Sequence, residues 1–259
     1  NLINFAYLVA SVFFIFGLKG LTHPRTAVRG NLYGALGMLV AVVVTLLDQQ
    51  VVSVEYVFYG VVVGALIGGV LAMRISMTAM PEMVALFNGF GGVASVLVAG
   101  ATLFEGVSKG QVLTAQFTVA TAASGIIGAV TFWGSLLAFT KLLELFRGAP
   151  KFPGQQMFNM LLLVGSVVVG GLLVDDPNNT DWFWLMVGIA SLTGILMVVP
   201  IGGADMPVVI AFLNSCSGLA AAATGFVLNN NVLIIAGSLV GASGLILSTE
   251  PIILSRKAS

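Results

Sequence analysis

The chain has 259 residues, of which 58% are hydrophobic and 8% are charged, and its ten basic and ten acidic residues cancel. A soluble domain carries roughly 25% charged residues, so this chain cannot cover a globular surface with polar groups. The neutral balance gives no reason to expect a nucleic acid as partner. The single cysteine, Cys216, excludes an intramolecular disulfide and argues against a zinc cluster. We therefore expect an integral membrane protein whose main surroundings are the lipid bilayer.

Polar breaks cut the sequence into runs of about 20 apolar residues, the length that crosses about 30 Å of hydrocarbon. The runs are continuously apolar, which indicates helices, because a barrel strand would alternate. The first run has no basic residues ahead of it and no cleavage site after it, so we interpret it as a span and not as a signal peptide. We predict an all-α polytopic bundle of about nine transmembrane helices. The predicted spans are residues 2–21, 31–47, 52–73, 82–104, 113–140, 157–174, 182–200, 205–227 and 232–249.

Lysine and arginine fall almost entirely on one side of this topology. The positive-inside rule puts that side in the cytosol. We therefore predict a multi-pass protein of the cell (inner) membrane, with the amino terminus outside and the carboxyl terminus in the cytosol. The basic residues on the predicted cytosolic side are Lys19, Arg25, Arg29, Arg74, Lys141, Arg147, Lys151, Arg256 and Lys257, and Lys109 alone lies on the other side.

Small residues recur at helical spacing in two of the spans. Gly60, Gly64 and Gly68 form overlapping GxxxG patterns in helix 3, and Gly237 and Gly241 form another in helix 9. Such patterns let helix backbones approach closely. We interpret these glycines as packing residues.

Two segments of the chain look like copies of one another. The run MPEMVALFNGFGGVAS from Met80 is similar to MPVVIAFLNSCSGLAA from Met206, an offset of 126. Met-Pro, an Asn seven residues after the Pro (Asn88 and Asn214) and a Gly four residues later all recur at that offset, and the following spans share a Ser-Gly pair. Helices 4–5 and 8–9 therefore look like parallel repeats. Chance similarity between two apolar runs is the alternative.

Polar side chains line one face of helices 4, 5, 8 and 9. In helix 5 they follow spacings of three and four, which places them on one side. Serine and threonine in a membrane often bond only to their own backbone or join helices. An asparagine amide is costly to leave unpaired in hydrocarbon, so two at matched depth favour a shared wet path. The stripes are Thr121, Ser124, Gly128, Thr131 and Ser135; Asn88, Ser95 and Thr102; Asn214, Ser217 and Thr224; and Ser243.

Few ionisable groups lie near the membrane. Glu82 and Asp205 begin helices 4 and 8, where a carboxylate suits a helix amino terminus, although each could be a solvated terminal charge. Glu55 is either an interfacial charge or the mouth of a proton path. His23, the only histidine, is in a loop and does not suit an intramembrane proton carrier. No nucleotide or metal motif is present, so we expect no cofactor, no metal and no catalytic residue in this part.

Long motifs resemble one known family. IGGADMPVVIAFLNSCSGLAAAATGF, from Ile201 to Phe226, and MPEMVALFNGFGG, from Met80, are similar to the membrane domain of the beta subunit of proton-translocating nicotinamide nucleotide transhydrogenase. AYLVASVFFIFGLKGL near the amino terminus and LVGASGLILS from Leu239 also resemble that family. The resemblance spans essentially the whole chain.

The resemblance implies that residues 1–259 form a transmembrane proton-channel domain. Enzymes of this family couple proton flow to hydride transfer between NADH and NADP⁺. NAD(H) and NADP(H) would be bound by soluble domains of the complete enzyme, with the NADP(H)-binding domain expected after residue 259. The implied partners are these soluble domains and an alpha-type subunit with membrane helices, and the whole enzyme would be a dimer.

The family pattern also assigns roles to residues. Helices matching 4, 5, 8 and 9 are thought to surround the channel, in agreement with the polar stripes. We expect Asp205, Gly244 and Arg256 to couple the channel to the NADP(H)-binding domain. The candidate channel residues are Asn88, Asn214, Ser95, Ser124, Thr131, Ser135, Ser217, Ser243, Glu82 and Glu55.

Asn88 departs from the family pattern. Many members carry a histidine there that is regarded as the proton-exchanging group, and asparagine cannot take up a proton near neutral pH. The titrating group would then come from elsewhere, and a histidine on a helix of the alpha-type subunit is the preferred explanation. The alternative function is a small-solute secondary transporter with parallel repeats, which predicts a substrate-sized pocket with convergent polar groups.

Overall fold

The computed structural model describes the backbone of residues 2–47, 54–146 and 150–258, with side chains as far as Leu245 except those of residues 54 and 77. The chain forms two compact units, unit 1 (Asn1–Met80) and unit 2 (Pro81–Ser259). Short 3₁₀ turns precede two of the helices, at Met77–Ala79 and Gly203–Asp205. The helices are α1 (Leu2–Leu21), α2 (Ala27–Leu47), α3 (Val54–Arg74), α4 (Met80–Ser108), α5 (Ala115–Leu142), α6 (Gln155–Asp175), α7 (Asp181–Val198), α8 (Met206–Val227) and α9 (Asn231–Ala258).

The predicted membrane bundle is confirmed. Within the described ranges, eight helices are long and apolar enough to cross a bilayer, and the ninth contributes the apolar stretch Asn231–Leu245. The same ranges contain helices and turns but no strand. An isolated helix satisfies all its interior backbone groups by itself, which is why continuous apolar runs of this length fold this way in lipid. The orientation of the termini stays a prediction.

Helix ends differ from the predicted span ends where polar residues continue the helix. α2 begins at Ala27 and not at 31, so Arg29 lies in its first turn. α4 ends at Ser108 and not at 104, and an ion pair between Lys109 Nζ and Glu105 Oε1, 2.5 Å apart, stabilises that exposed end. α9 continues to Ala258 and not 249. Apolar patterning marks where hydrocarbon ends, whereas the helix ends where its backbone hydrogen bonds end.

In unit 1, α1 and α2 pack closely through glycines. A Cβ at Gly20 would lie 2.6 Å from the Cα of Gly30, so only hydrogen fits there. α3 presents its small residues differently. A Cβ at Gly60, Gly64 or Gly68 would meet nothing within 4 Å in the described part of the chain. The packing role predicted for the GxxxG pattern of α3 therefore stays a prediction, which a companion subunit could satisfy.

Unit 2 is organised around α5, which packs against α6, α7 and α8 and, through Gly92 and Gly128, against α4. α8 and α9 form an antiparallel hairpin. Two groups of buried apolar side chains fill the spaces between the helices of unit 2. One comprises Val96, Leu103, Ala122, Ile126, Ala129, Leu173, Phe183, Met186 and Ala190. The other comprises Ala85, Ala138, Val198, Met206, Val209, Ile210 and Leu213.

The repeat extends into local backbone structure. The 3₁₀ turns Met77–Ala79 and Gly203–Asp205 precede the two Met-Pro helices, and the residues before them share one extended conformation, with φ −75° and ψ 154° or 160°. The turns are separated by the same offset of 126 as the Met-Pro motifs. The two serines of the Ser-Gly match make different hydrogen bonds. Ser124 donates to a carbonyl oxygen of another helix, α4, whereas Ser243 donates to the carbonyl oxygen of Val240 in its own helix, α9.

Candidate functional site

Asn88 lies in the interior of unit 2 with only 8% of its surface exposed. Its Nδ2 donates a hydrogen bond of 2.8 Å to the Oγ of Ser135 on α5. Its backbone carbonyl accepts a hydrogen bond of 3.1 Å from Ser217 Oγ on α8. One asparagine thus joins three of the four helices predicted to carry polar faces. We call Asn88, Ser135 and Ser217 the Asn88 cluster.

A second polar cluster lies further along the same helices. Ser124, fully buried on α5, donates a hydrogen bond of 3.1 Å to the carbonyl oxygen of Ser95 on α4. Its Oγ also lies 2.7 Å from Thr224 Oγ1 on α8. Thr224 is 4% exposed and donates to Ala220 O at 2.9 Å. We call Ser95, Ser124 and Thr224 the Ser124 cluster, and it joins the same three helices.

A backbone contact separates the two clusters. Gly92 lies between Asn88 and Ser95 on α4, and Gly128 lies between the two clusters on α5. A Cβ at Gly92 would lie 2.7 Å from the carbonyl oxygen of Gly128, and a Cβ at Gly128 would lie 2.6 Å from the carbonyl oxygen of Gly92. Two glycines are therefore required for α4 and α5 to approach this closely. The same approach brings the hydroxyls of α5 within hydrogen-bonding distance of α4.

In the part of the chain that the structure describes, buried oxygen atoms without a hydrogen-bond partner occur on the same two helices. They are Asn88 Oδ1 and Glu82 Oε2 on α4 and Thr121 Oγ1 on α5, and a further one, Asn159 Oδ1, lies on α6. Thr121 is fully buried. An unsatisfied buried polar atom costs about 1–3 kcal/mol. A further polar group that bonds to Asn88 Oδ1, Glu82 Oε2 or Thr121 Oγ1 would therefore be stabilised at the polar faces of α4 and α5.

Some predicted channel residues take no part in either cluster. Thr131 and Ser243 donate to carbonyls of their own helices, at 2.7 Å to Ile127 and 3.0 Å to Val240. Asn214 is half-buried on α8. Glu55 is exposed near the start of α3, which belongs to unit 1.

The residues predicted to couple the channel to a soluble domain lie around the start of α8 and along α9. Asp205 is exposed and makes no side-chain capping hydrogen bond to α8. Gly244 is buried, and a Cβ there would lie 2.9 Å from the Cβ of Ser215. The side chain of Arg256 lies outside the described residues.

Several buried polar side chains of the described residues were not predicted from the sequence, and Ser215 and Lys141 are two of them that bond to another helix or its end. Ser215 is fully buried and donates to the carbonyl oxygen of Gly241, which ties α8 to α9. Lys141, only 7% exposed, turns inward at the end of α5. Its position near the end of a span indicated only a basic residue on the cytosolic side. No periodicity in the sequence distinguishes a lysine whose side chain is buried from one whose side chain reaches water.

The chemistry of the two clusters is that of amides and hydroxyls. Each of these groups can donate and accept hydrogen bonds, so a line of them can bind and orient water. None of them exchanges a proton near neutral pH. Each cluster can therefore hold a water or a further donor, although the close backbones of Gly92 and Gly128 lie between the two clusters. Net proton uptake would need a titrating group from another place.

Comparison with known proteins identifies similar chains. A family model described as NAD(P) transhydrogenase beta subunit matches residues 3–251. The NAD(P) transhydrogenase subunit beta of Rhodospirillum rubrum is 43% identical over 248 residues, which cover 94% of this chain and 53% of the relative. The subunit of the same name from a designated strain of that organism matches with the same identity and coverage. The chain thus spans about half the length of the curated relatives it matches.

Proposed function

Because the chain belongs to the NAD(P) transhydrogenase beta subunit family, we propose that it is the proton-translocating membrane domain of such an enzyme. In this proposal, proton flow through unit 2 is coupled to hydride transfer between NADH and NADP⁺. The hydride transfer takes place in soluble domains that bind NAD(H) and NADP(H). One proton crossing 100 mV provides about 2.3 kcal/mol, enough to shift a redox equilibrium more than tenfold.

The observation that carries the proposal is the environment of Asn88. A nearly buried amide is hydrogen-bonded to Ser135, while its Oδ1 has no partner among the described residues. A residue selected only to join helices would be stabilised most by satisfying both ends of the amide. An unpartnered acceptor in a line of hydroxyls suits a water or a donor from a companion helix.

The titrating group in this proposal comes from a companion chain. Asn88 holds and orients the proton-carrying water but does not itself become charged. A histidine on a membrane helix of an alpha-type subunit would fit this role, since its pKa lies near physiological pH. Glu82, half-buried at the start of α4, would lie at the cytosolic entrance of the route.

The assembly and location follow from the same proposal. The strong bias of basic residues predicts a cytosolic carboxyl terminus in the inner membrane. The NADP(H)-binding domain would dock on that side, next to Asp205, Gly244 and Arg256. The complete enzyme would be a dimer that contains the alpha-type subunit as well.

The alternative function, a solute transporter, receives no support from the comparisons. The described part of unit 2 has a cavity of about 560 Å³ between α5, α8 and α9. Its lining is nearly all Ala, Val, Leu, Ile and Phe, with Gln116 and Ser238 as the polar members. A transporter site would bring several polar groups together around the solute near the midplane, and this cavity does not. A second cavity of about 550 Å³, lined in part by Gln155, Gln156 and Asn159, lies at the start of α6 and not near the middle of a helix.

The proposal is tested with the complete enzyme, alpha and beta subunits together, in sealed vesicles with an internal pH indicator. Addition of NADPH and an NAD⁺ analogue should produce proton uptake that stops when either nucleotide is omitted and collapses with an uncoupler. Hydride transfer that leaves the internal pH unchanged in tight vesicles would contradict the proposal. Solute-dependent proton movement without nucleotides would support the transporter instead.

A further inference from the structure

Lys141 is a buried cation in the last turn of α5. Its Nζ donates to three backbone carbonyl oxygens, of Val198 at 3.3 Å, of Val199 at 2.5 Å and of Ile201 at 2.7 Å. An ammonium group has three protons to donate and no acceptor. The three carbonyls therefore match the protonated side chain, and they belong to the end of α7 and the turn that follows it.

The end of α7 is satisfied by side chains from two neighbouring helices. The last carbonyls of a helix have no partner within it, and they attract positive charge. Leu196 O accepts hydrogen bonds from Gln155 Nε2 at 3.0 Å and from Asn159 Nδ2 at 3.3 Å, both on α6. Lys141 satisfies the carbonyls that come next along the chain. The turn after α7 is thus fixed to α5 and α6 by side-chain hydrogen bonds.

The same turn leads directly to Asp205. Ile201 is followed by Gly202 and Gly203, where an added Cβ would meet nothing within 4 Å, and then by Ala204 and the exposed Asp205. The next residue, Met206, is fully buried at the start of α8. Lys141 therefore bonds to the chain just before the 3₁₀ turn Gly203–Asp205, which carries the predicted coupling carboxylate.

Lys141 is also close in sequence to the candidate pathway. Ser135, which binds Asn88, precedes it by six residues on the same helix, less than two turns of about 3.6 residues. A rigid helix of this length transmits a displacement at its end to the hydroxyl. Burying an ammonium is costly unless it is hydrogen-bonded, and the three carbonyl oxygens offset that cost. The same three bonds make Lys141 the group through which α5 holds the turn after α7.

We propose that Lys141 is a positioning residue that fixes the turn between α7 and α8 to α5, so that movement of Asp205 at the surface is transmitted to Ser135 and Asn88. This inference rests on the proposed function, since it supplies the connection between a docked soluble domain and the pathway. It adds a residue of α5 to a coupling route otherwise assigned to α8 and α9.

The test uses the complete enzyme in vesicles with the variants Lys141→Met and Lys141→Gln. Methionine keeps the length of the side chain without donors, and glutamine restores two N–H donors without the charge. Lys109→Met is the matched control, because Lys109 is exposed and its ion partner, Glu105, lies on its own helix. Three quantities are measured: protons moved per hydride, hydride transfer itself, and amide hydrogen exchange in residues 199–206.

We expect Lys141→Met to reduce the protons moved per hydride by about fivefold or more, the lower end of the coupling between two sites in a protein. Hydride transfer should persist, and exchange in residues 199–206 should increase. Lys141→Gln should fall between Lys141→Met and the unmodified enzyme, and Lys109→Met should match the unmodified enzyme in all three quantities.

An unchanged proton-to-hydride ratio in Lys141→Met, or a lowered ratio without increased exchange, would overturn the inference. Failure of both Lys141 variants to assemble would also overturn it, because the lysine would then be required for folding alone. If the unmodified enzyme transfers hydride without moving protons, the proposed function fails. The exchange measurement still tests the positioning contact in that case.

Discussion

The contact between Gly92 and Gly128 gives a sharp prediction because an adjacent glycine serves as its control. A Cβ at Gly92 would lie 2.7 Å from Gly128 O and 3.0 Å from Phe132 N, both backbone atoms of α5. At Gly91 the nearest atom would be Ser217 Oγ, 4.0 Å away. In Gly92→Ala, α4 and α5 must therefore separate by several tenths of an ångström, whereas Gly91→Ala fits without a shift.

The magnitude follows from the difference between these variants. Alanine is favoured over glycine in a helix by about 1 kcal/mol at both positions, so this contribution cancels. Overpacking costs about 1–3 kcal/mol, and we expect the upper part of that range because backbone cannot rotate aside. The separation also weakens the two hydrogen bonds that join α4 to α5, Asn88 to Ser135 at 2.8 Å and Ser124 to Ser95 at 3.1 Å.

Thermal unfolding in detergent and proton uptake in vesicles measure the two consequences. Gly92→Ala should unfold at a lower temperature than Gly91→Ala and should move fewer protons per hydride, while Gly91→Ala should resemble the unmodified enzyme. Equal stability and equal coupling in the two variants would refute the reasoning, because the close approach of α4 and α5 would then be unnecessary.

Three other predictions concern the polar line and its cytosolic end. Asn214 lies outside both clusters and stays a predicted channel residue: Asn214→Leu in the complete enzyme should block proton-coupled turnover without preventing assembly, and undiminished pumping would mean that this amide only joins helices. Asp205→Asn should change the free energy of unfolding by less than about 0.5 kcal/mol, because the side chain is exposed and makes no capping bond. The variant should nevertheless impair coupled transhydrogenation. Normal coupled turnover would mean that Asp205 is only a solvated charge at the helix end. A double-mutant cycle of Ser124→Ala and Thr224→Val, whose hydroxyls lie 2.7 Å apart, should give an interaction free energy of about 0.5–3 kcal/mol in unfolding measurements, and additive effects would show that each hydroxyl acts alone.

The number and approximate position of the spans could be predicted because the bilayer imposes a length on every crossing segment. The ends could not, since a helix continues for as long as its backbone bonds to itself. α4 continues through the charged Glu105 to Ser108, and Lys109, directly after the helix, pairs with Glu105. Hydropathy therefore locates the membrane but not the helix end.

The faces of the candidate site could also be predicted, since spacings of three and four place Ser124 and Ser135 on one side of α5. Which hydroxyls meet across helices could not. The contact between Gly92 and Gly128 sets how α4 is aligned with α5, and that alignment brings Ser124 to Ser95 and Asn88 to Ser135. A one-dimensional pattern contains no information on the relative translation of two helices.

The environment of Lys141 could not be predicted from the sequence. Lysines near span ends commonly extend to the interface, and the sequence supports that interpretation for this residue as well as for others. The carbonyls at the end of α7 and in the turn after it provide an alternative set of acceptors, and these become neighbours only after α5, α6 and α7 have packed. Long-range packing decides which of the two environments the ammonium occupies.

Proton uptake in vesicles that contain the complete enzyme with Asn88→Leu tests directly whether the proton passes Asn88. Leucine has nearly the same shape but offers neither a donor to Ser135 nor an acceptor at the position of Oδ1. Thr193→Val is the control, since Thr193 is 5% exposed and donates only to Ile189 O of its own helix, α7. We expect Asn88→Leu to abolish nucleotide-driven uptake and Thr193→Val to retain it. Full uptake in Asn88→Leu would show that the proton does not pass through the Asn88 cluster.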